Sequence, residues 1–312
     1  MHETFVSVGL PVGETLNLEK ITFQADELKG DEKRICIVTG VHGDELDGQY
    51  VVYELMRRIK ENKDKLAGIV DIYPCINPLG MEAIFRGIPT FDLDMNRCFP
   101  GRQEGDMVER IAAALVEDIK GADLCIDLHS SNIFIREVPQ VRLSEKNASL
   151  FEYGKLLNVE FIWIYESPTV LDSSLVYSLN DLGVPSLAIE MGVGMRIDQE
   201  SGNLLVDGLF SLMKEMGIWK GEVTKPKQPI ISTDGQVEYI HAEASGIFLA
   251  NVEHRHMTRE GDLIGKIINP KNGTIEQMIY APCSGMVFSL REYPVVYEGS
   301  LIARIMGGIE TC

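Results

Sequence analysis

Apolar positions along this chain recur in two alternating rhythms. Short β-branched runs, at 34–39 and 69–76, are too brief for helices and read as buried strands. Between and after them the spacing becomes helical. Val52, Leu55, Met56 and Ile59 predict a helix over 45–62, and Val108, Ile111, Ala112, Leu115 and Ile119 predict one over 106–120. The alternation continues with a strand at 123–128, a helix near 146–157, a strand at 159–165, a helix near 172–182, a strand at 184–189 and a helix over 200–216. An opening pair of strands is expected within residues 3–25, around the turn at Pro11 to Gly13. Strands alternating with helices predict a three-layer α/β domain around a mixed, largely parallel sheet.

The rhythm breaks twice. The strand at 69–76 ends at Asn77-Pro78-Leu79-Gly80, a loop signal, and residues 80–105 show little periodicity. Long irregular stretches inside compact domains are usually functional or disordered, and the arginines and aromatic residues here favour function. The second break is at 220–230, polar with two prolines, which reads as a linker. Beyond it lie short β-like runs split by Ser-Gly, Glu-Gly and Asn-Gly turns, a small all-β unit. EASGIFLANV…REGDLIGKI and APCSGMVFSL…YEGSLIARI echo one another and suggest a pseudo-symmetric sandwich or barrel. The expected division is therefore 1–222 and 223–312.

Composition narrows the class. The 312 residues are 45% hydrophobic and 24% charged, as in a globular protein. No apolar run reaches the length of a membrane span. The N-terminal MHETFVSVGLPVGE lacks the basic and apolar regions of a signal peptide. A net charge of −18 argues against nucleic acid and anionic membranes as partners. Six scattered cysteines, none in C-x-x-C, fit a reduced, cytoplasmic protein. A homo-oligomer is compatible with all of this.

Candidate chemistry gathers at strand ends. His42 and Glu45 follow the first buried strand on a strand-to-helix loop, where open α/β sheets build their sites. His-x-x-Glu can share one zinc, which takes imidazole nitrogen and carboxylate oxygen at about 2.0–2.2 Å. Alone the motif is weak, and a surface histidine beside a helix start would explain it. The first 230 residues hold only one other internal histidine, His129, and it too ends an apolar strand. His42, Glu45 and His129 make the His₂Glu set of a hydrolytic zinc site, one Zn²⁺ per chain. Glu190 ends a further strand and can serve as the proton-transferring carboxylate that such a hydrolase needs. Arg86, Asn96 and Arg97 share the aperiodic loop. They offer a fork for a substrate carboxylate and a cation for a developing oxyanion.

Taken in order, GVHGDE, NPLGMEAIFRG, DLDMNRCFPG, DLHSS and AIEMG resemble the succinylglutamate desuccinylase/aspartoacylase family, itself related to zinc carboxypeptidases. The resemblance spans roughly residues 30 to 215, and the β unit resembles the family's C-terminal domain. It implies His42, Glu45 and His129 as zinc ligands and Glu190 as general base. It also implies Arg86 at the oxyanion and Asn96 and Arg97 on the substrate's α-carboxylate. The chain departs from the pattern in one respect. Aspartoacylases hold a second substrate carboxylate with an arginine shortly before the catalytic glutamate, and no arginine lies between Arg142 and Arg196 here. That argues against N-acetylaspartate and toward an N-acyl amino acid with a neutral or basic side chain, such as a diamino acid. Arg196 could substitute for the missing group.

The expected function is thus zinc-dependent hydrolysis of the amide of a small N-acyl amino acid, releasing a carboxylate and a free amino acid. The alternative is a metallocarboxypeptidase acting on short peptides. A non-catalytic binding protein on the same fold would have lost a ligand or the glutamate, and none is lost. A structural zinc would favour four closed ligands, often cysteine. His254 and His256 read as exposed strand histidines, Cys98 as loop packing, and Tyr293 or Tyr297 as candidates to enter the cleft.

Overall fold

The computed structural model describes residues 1–165 and 173–307. The chain opens with β1 (His2–Gly9) and β2 (Thr15–Gln24), antiparallel around the expected turn. Then come β3 (Arg34–Thr39), α1 (Asp47–Glu61), β4 (Ile69–Tyr73), a short α2 (Pro78–Ala83) and α3 (Met107–Ile119). They are followed by β5 (Leu124–Ser130), β6 (Ile135–Ser144), α4 (Phe151–Leu156), β7 (Phe161–Tyr165), α5 (Leu175–Asp181), β8 (Ser186–Gly192) and α6 (Gln199–Glu215). Residue 172, where a helix was expected to begin, lies outside the described residues, as does Cys312; the five described cysteines are free. No helix among the described residues is long and apolar enough to cross a membrane.

Local chemistry accounts for the starts of α3 and α2. Asp106 accepts from the N–H groups of Val108 and Glu109 while the Glu109 carboxylate reaches back to the Asp106 N–H, a capping box that begins α3. Asn77 accepts from Gly80 N at 2.8 Å, and Pro78 occupies the first turn, so the Asn-Pro loop signal turns out to start α2.

Strand β3 shows how the layers form. Ile35 and Ile37 face Val51, Leu55 and Ile59 of α1 and Leu205 and Leu209 of α6. Cys36 and Val38 point the other way, to Val108, Ile111 and Leu115 of α3 and Leu175 of α5. Alternation along a strand buried on both faces therefore produces helix, sheet and helix layers. β3, β4, β5 and β8 run parallel, with β4, β3, β5 and β8 as successive neighbours. Their C-terminal ends share one edge.

β6 escaped the sequence reading. Its residues IREVPQVRLS interleave charges with apolar positions, and a proline inside a run speaks against a strand. Pro139 sits where the pairing with β8 shifts register, between Glu137 and Gln140, so its missing N–H is tolerated. The strand is central all the same. It pairs antiparallel with β8 on one side and parallel with β7 on the other.

The remaining chain is β9 (Ile230–Thr233), β10 (Val237–His241), β11 (Gly246–Ala250), β12 (Met257–Thr258), β13 (Leu263–Asn269), β14 (Thr274–Tyr280), β15 (Gly285–Arg291), β16 (Val295–Val296) and β17 (Leu301–Gly307). Residues 221–229 carry no helix or strand. The two echoed phrases become equivalent antiparallel pairs, β11 with β13 and β15 with β17. β14, β13, β11 and β16 form a four-stranded sheet that shares a core with β10, β15 and β17 through Phe248, Ile267, Val287, Ile302 and Ile305. These strands do not stand apart. β15 pairs antiparallel with β6 and β9 pairs parallel with β7, so among the described residues thirteen strands make one mixed sheet.

Candidate metal centre and its cavity

The parallel strands deliver their polar ends to one place. β3 leads into His42 and Glu45, β5 carries His129, and β8 carries Glu190 directly across from His129 in register. The loop after β3 packs hard against the start of α2. A Cβ on Gly43 would lie 2.1 Å from the Gly80 carbonyl carbon, so only glycine lets the loop bearing His42 approach the segment bearing Arg86. Gly43 N donates to Arg86 O at 3.1 Å.

His42, Glu45 and His129 are 2%, 4% and 4% exposed. His42 Nδ1 is 2.7 Å from Glu45 Oε1, His129 Nδ1 is 2.9 Å from Glu45 Oε2, and the two Nδ1 atoms are 3.2 Å apart. Each ring's other nitrogen meets an aspartate: His42 Nε2 with Asp94 Oδ1 at 3.0 Å, His129 Nε2 with Asp127 Oδ2 at 2.8 Å. Those contacts place the N–H on Nε2 and leave two Nδ1 lone pairs facing each other and a carboxylate. Three electron-rich donors within 4.8 Å repel unless a proton or a cation lies among them. The donor set therefore fits a divalent metal, and each histidine has the carboxylate support usual for a metal-bound imidazole.

Burial pushes the Glu45 carboxyl up, but the two histidines outweigh it and hold it well below the usual carboxylate range. Burial lowers both imidazoles, and the carboxylates around them reverse this: Glu45 and Asp94 raise His42, while Asp127 and Glu45 raise His129. Beneath Glu45, Ser130 N donates to Oε2 at 3.1 Å and Ser130 Oγ donates to Asp47 Oδ2 at 2.8 Å. Burial pushes Asp47 up to about 6. A Cβ on Gly192 would sit 2.3 Å from this carboxylate, which explains a glycine with positive φ at the end of β8.

A cavity of about 280 Å³ opens beside the centre, lined by Glu45, Arg86, Ser130, Ser131, Asn132, Ile135, Glu137, Arg142, Glu190 and Arg304. Arg86 Nη1 donates to Glu45 Oε1 at 2.7 Å, which aims a partly exposed guanidinium at the centre. Glu190 is 3.4 Å from Arg142 Nη1. Burial raises the Glu190 carboxyl, outweighing the lowering by Arg142 and His129.

The structure thus brings together His42, Glu45, His129, Arg86 and Glu190. Asn96 and Arg97 stand in the turn after Asp94, which is bonded to His42, yet neither is among the cavity-lining residues. Asn96 Oδ1 accepts from Leu175 N at the start of α5, and the exposed Arg97 donates to Asn96 O. Arg196 donates to Met195 O, Tyr293 packs on Phe134, Tyr297 is exposed and Cys98 Sγ lies against Asp94 O; none lines the cavity. His254 and His256, expected on a strand, lie in the turn before β12, His254 half-buried against Arg255 and His256 exposed. Asp94, Asp127, Glu137, Arg142 and Arg304 were not anticipated. Asp127 could have been: Asp-x-His on a strand puts both side chains on one face. Asp94, inside the quoted DLDMNR, had no such periodic cue.

The family model describing the succinylglutamate desuccinylase/aspartoacylase catalytic domain matches residues 31–216. N-alpha-acetyl-L-2,4-diaminobutyric acid deacetylase of Halomonas elongata is 24% identical over 295 residues, covering 91% of this chain and 84% of that protein. Two solved structures share the fold. The product-bound ectoine utilization protein EutE (DoeB) of Ruegeria pomeroyi has a TM-score of 0.81 at 20% identity, covering 96% of this chain and 92% of that one. A succinylglutamate desuccinylase of a Silicibacter species has a TM-score of 0.84 at 21% identity, covering 98% and 94%.

Proposed function

This chain belongs to the succinylglutamate desuccinylase/aspartoacylase family, whose members are deacylating hydrolases, and from that premise we propose that it is a zinc-dependent hydrolase of N-acyl amino acids. The observation that carries the reading is the convergence of His42, Glu45 and His129, with Glu190 beside His129 in register and lining one small cavity with Glu45. His42 and His129 through Nδ1, and Glu45 through its carboxylate, would hold the zinc. When bound, zinc supplies Lewis-acid polarisation of the scissile carbonyl and a lowered pKa for water.

The chain's own groups do the rest. Glu190, ionised, takes the proton of the attacking water and passes it to the departing amine. Its raised pKa narrows the gap to neutrality and makes both transfers feasible. Arg86 donates to the oxygen on which negative charge develops. Asp94 and Asp127 hold the two imidazole rings so that their lone pairs face inward. Residues 1–222 are the catalytic domain of this reading and 223–312 a β domain that supplies Arg304 to the cavity wall.

The small cavity volume favours a small acyl amino acid over a peptide. We take an N-acyl diamino acid as the substrate class, in line with the 2,4-diaminobutyric acid derivative named for the Halomonas relative. For the substrate carboxylate the family resemblance implies Asn96 and Arg97, which lie outside the cavity lining. The test is turnover of a panel of N-acetyl and N-succinyl amino acids by zinc-loaded and chelated protein. Turnover only when loaded, falling off on short peptides, is expected. Equal rates after chelation would sink the metal reading, and preference for peptides would favour the carboxypeptidase.

A further inference from the structure

The cavity has a second wall that the chemistry above leaves unused. β6 supplies Glu137 and Arg142, and β17 supplies Arg304, 167 residues beyond Glu137. The Glu137 carboxylate, 3% exposed, accepts from Arg142 Nη2 at 2.7 Å and from Arg304 Nη1. Both guanidiniums lie over the Trp163 ring, 5.6 and 5.7 Å from its centroid, and Arg304 also lies 5.5 Å from that of Tyr239. Aromatic faces hold a guanidinium flat and leave its edge for planar anions.

Two features of this wall lack a counterpart. Two cations meet at Glu137, and while Arg142 has Glu190 as a second carboxylate at 3.4 Å, Arg304 has no second one among the described residues. Several buried polar atoms also have no partner among the described residues: Arg142 Nε, Arg304 Nε, Ser289 Oγ, and both ends of the Gln140 amide. Gln140 is fully buried and lies directly across from Glu190 in register, while Ser289 lies across from Glu137 and from Arg304. Native interiors rarely leave so many groups unmatched in one place unless a water, an ion or a ligand completes them. Each guanidinium also has more N–H donors than these contacts use. The group that presents two coplanar oxygens to an arginine fork is a carboxylate.

We propose that Arg142 and Arg304, straddling the carboxylate of Glu137, form the subsite that receives a carboxylate of the substrate. The proposal rests on the reading of this cavity as an N-acyl amino acid site. It makes the C-terminal strands part of substrate binding, because Arg304 comes from β17. It also supplies the cationic partner that the stretch between Arg142 and Arg196 lacks. The carboxylate has two sources, the α-carboxylate of the amino acid or the free end of a dicarboxylic acyl group.

Trp163 is a built-in reporter, since only two tryptophans exist and Trp219→Phe leaves it alone. The zinc-loaded Trp219→Phe protein is titrated with N-acetylglycine, N-succinylglycinamide and N-acetylglycinamide while Trp163 emission is followed. At least one of the two carboxylates changes the emission and the neutral amide does not. N-acetylglycine points to the α-carboxylate and N-succinylglycinamide to the acyl end. Arg304→Gln weakens that binding about 10- to 100-fold, the usual worth of a charged hydrogen-bonding partner. In turnover the same substitution raises KM for the carboxylate-bearing substrate, spares kcat, and leaves the neutral analogue unchanged. Glu137→Gln frees Arg304, leaves Arg142 only Glu190 as a carboxylate partner, and tightens carboxylate binding, which a purely structural ion cluster would not do. If Arg304→Gln fails to fold, Arg304→Lys, which keeps the charge and loses the fork, shows a smaller weakening, and Glu137→Gln decides. A flat titration, equal losses on acid and amide, or no tightening in Glu137→Gln overturns the proposal. Carboxylate binding that depends on Arg304 in a protein that hydrolyses no N-acyl amino acid would overturn the reaction and keep the subsite.

Discussion

Two buried charge clusters sit at opposite ends of the same strands, and they are built on opposite principles. Where β3 begins, Arg34 Nε donates to Asp71 Oδ2 at 2.7 Å, Thr22 Oγ1 donates to Asp71 Oδ1, and Lys20 and Tyr73 both donate to Asp118. Arg34 also donates to the carbonyls of Asp118 and Lys120. Each carboxylate there meets donors. Where β3 ends, His42, His129 and Glu45 bring electron-rich atoms together, Asp44 Oδ1 and Asp127 Oδ1 have no partner among the described residues, and Glu190 faces an open cavity. The first cluster is closed by the protein itself. The second leaves donors that a bound cation or ligand could complete, the arrangement expected of a cluster that acts rather than one that only stabilises.

Substitutions can break this contrast, in decreasing order of effect on turnover. His129→Ala removes one of the three proposed zinc ligands and should abolish both stoichiometric zinc, read by metal analysis, and activity. Glu190→Gln should cut kcat by about 10²–10⁴-fold, the worth of positioned proton transfer, with zinc content and Tm unchanged. Retained activity would end the assignment of Glu190. Asp127→Asn leaves the ligands in place but removes the support of His129, and zinc affinity in a competition titration should fall about 10- to 100-fold.

Arg142→Gln tests the pH profile. Glu190 must be ionised to accept a proton, so turnover rises with pH through its pKa. Burial holds that pKa above the usual carboxylate range, and Arg142 is the strongest influence pulling it down. Without Arg142 the charged form is less favoured, so the acid limb of kcat should move to higher pH. An unmoved limb would show that another group titrates there. The smallest effect on turnover belongs to the other end of β3. Asp71→Asn should leave activity per folded molecule intact while costing about 3 kcal/mol in denaturant unfolding, because Arg34 loses its buried carboxylate partner. A loss of activity there would mean that the two ends are coupled.

The layers and the His42–Glu45–His129 triad could be read in the chain because each rests on local signals. β3 and β8 carry apolar runs and β5 is interrupted only by Asp127, as suits strands buried on both faces, and each ends near a polar residue or loop. β6 could not be read in the same way. Its face toward the cavity is polar because the cavity is polar, so burial and hydrophobicity part company, and Pro139 masks the remainder. The same strand carries Glu137, Gln140 and Arg142, so missing it meant missing the second wall. No arginine lies between Arg142 and Arg196 in the sequence, yet two line the cavity with Glu190: Arg142 arrives from a neighbouring antiparallel strand and Arg304 from far along the chain.

The sequence by itself determined the alternation of strands and helices, the change of texture near residue 220 and the positions of His42, Glu45, His129 and Glu190. These follow from periodicity and from residue types at strand ends, information confined to a few neighbouring positions. Only the tertiary structure decided which nitrogen of each histidine faces inward and which aspartates hold the rings. It also decided that β15 joins the C-terminal strands to β6, and that Arg142 and Arg304 meet over one glutamate. Pairing between strands far apart in the chain depends on register and on the packing of whole layers, and no local pattern encodes it.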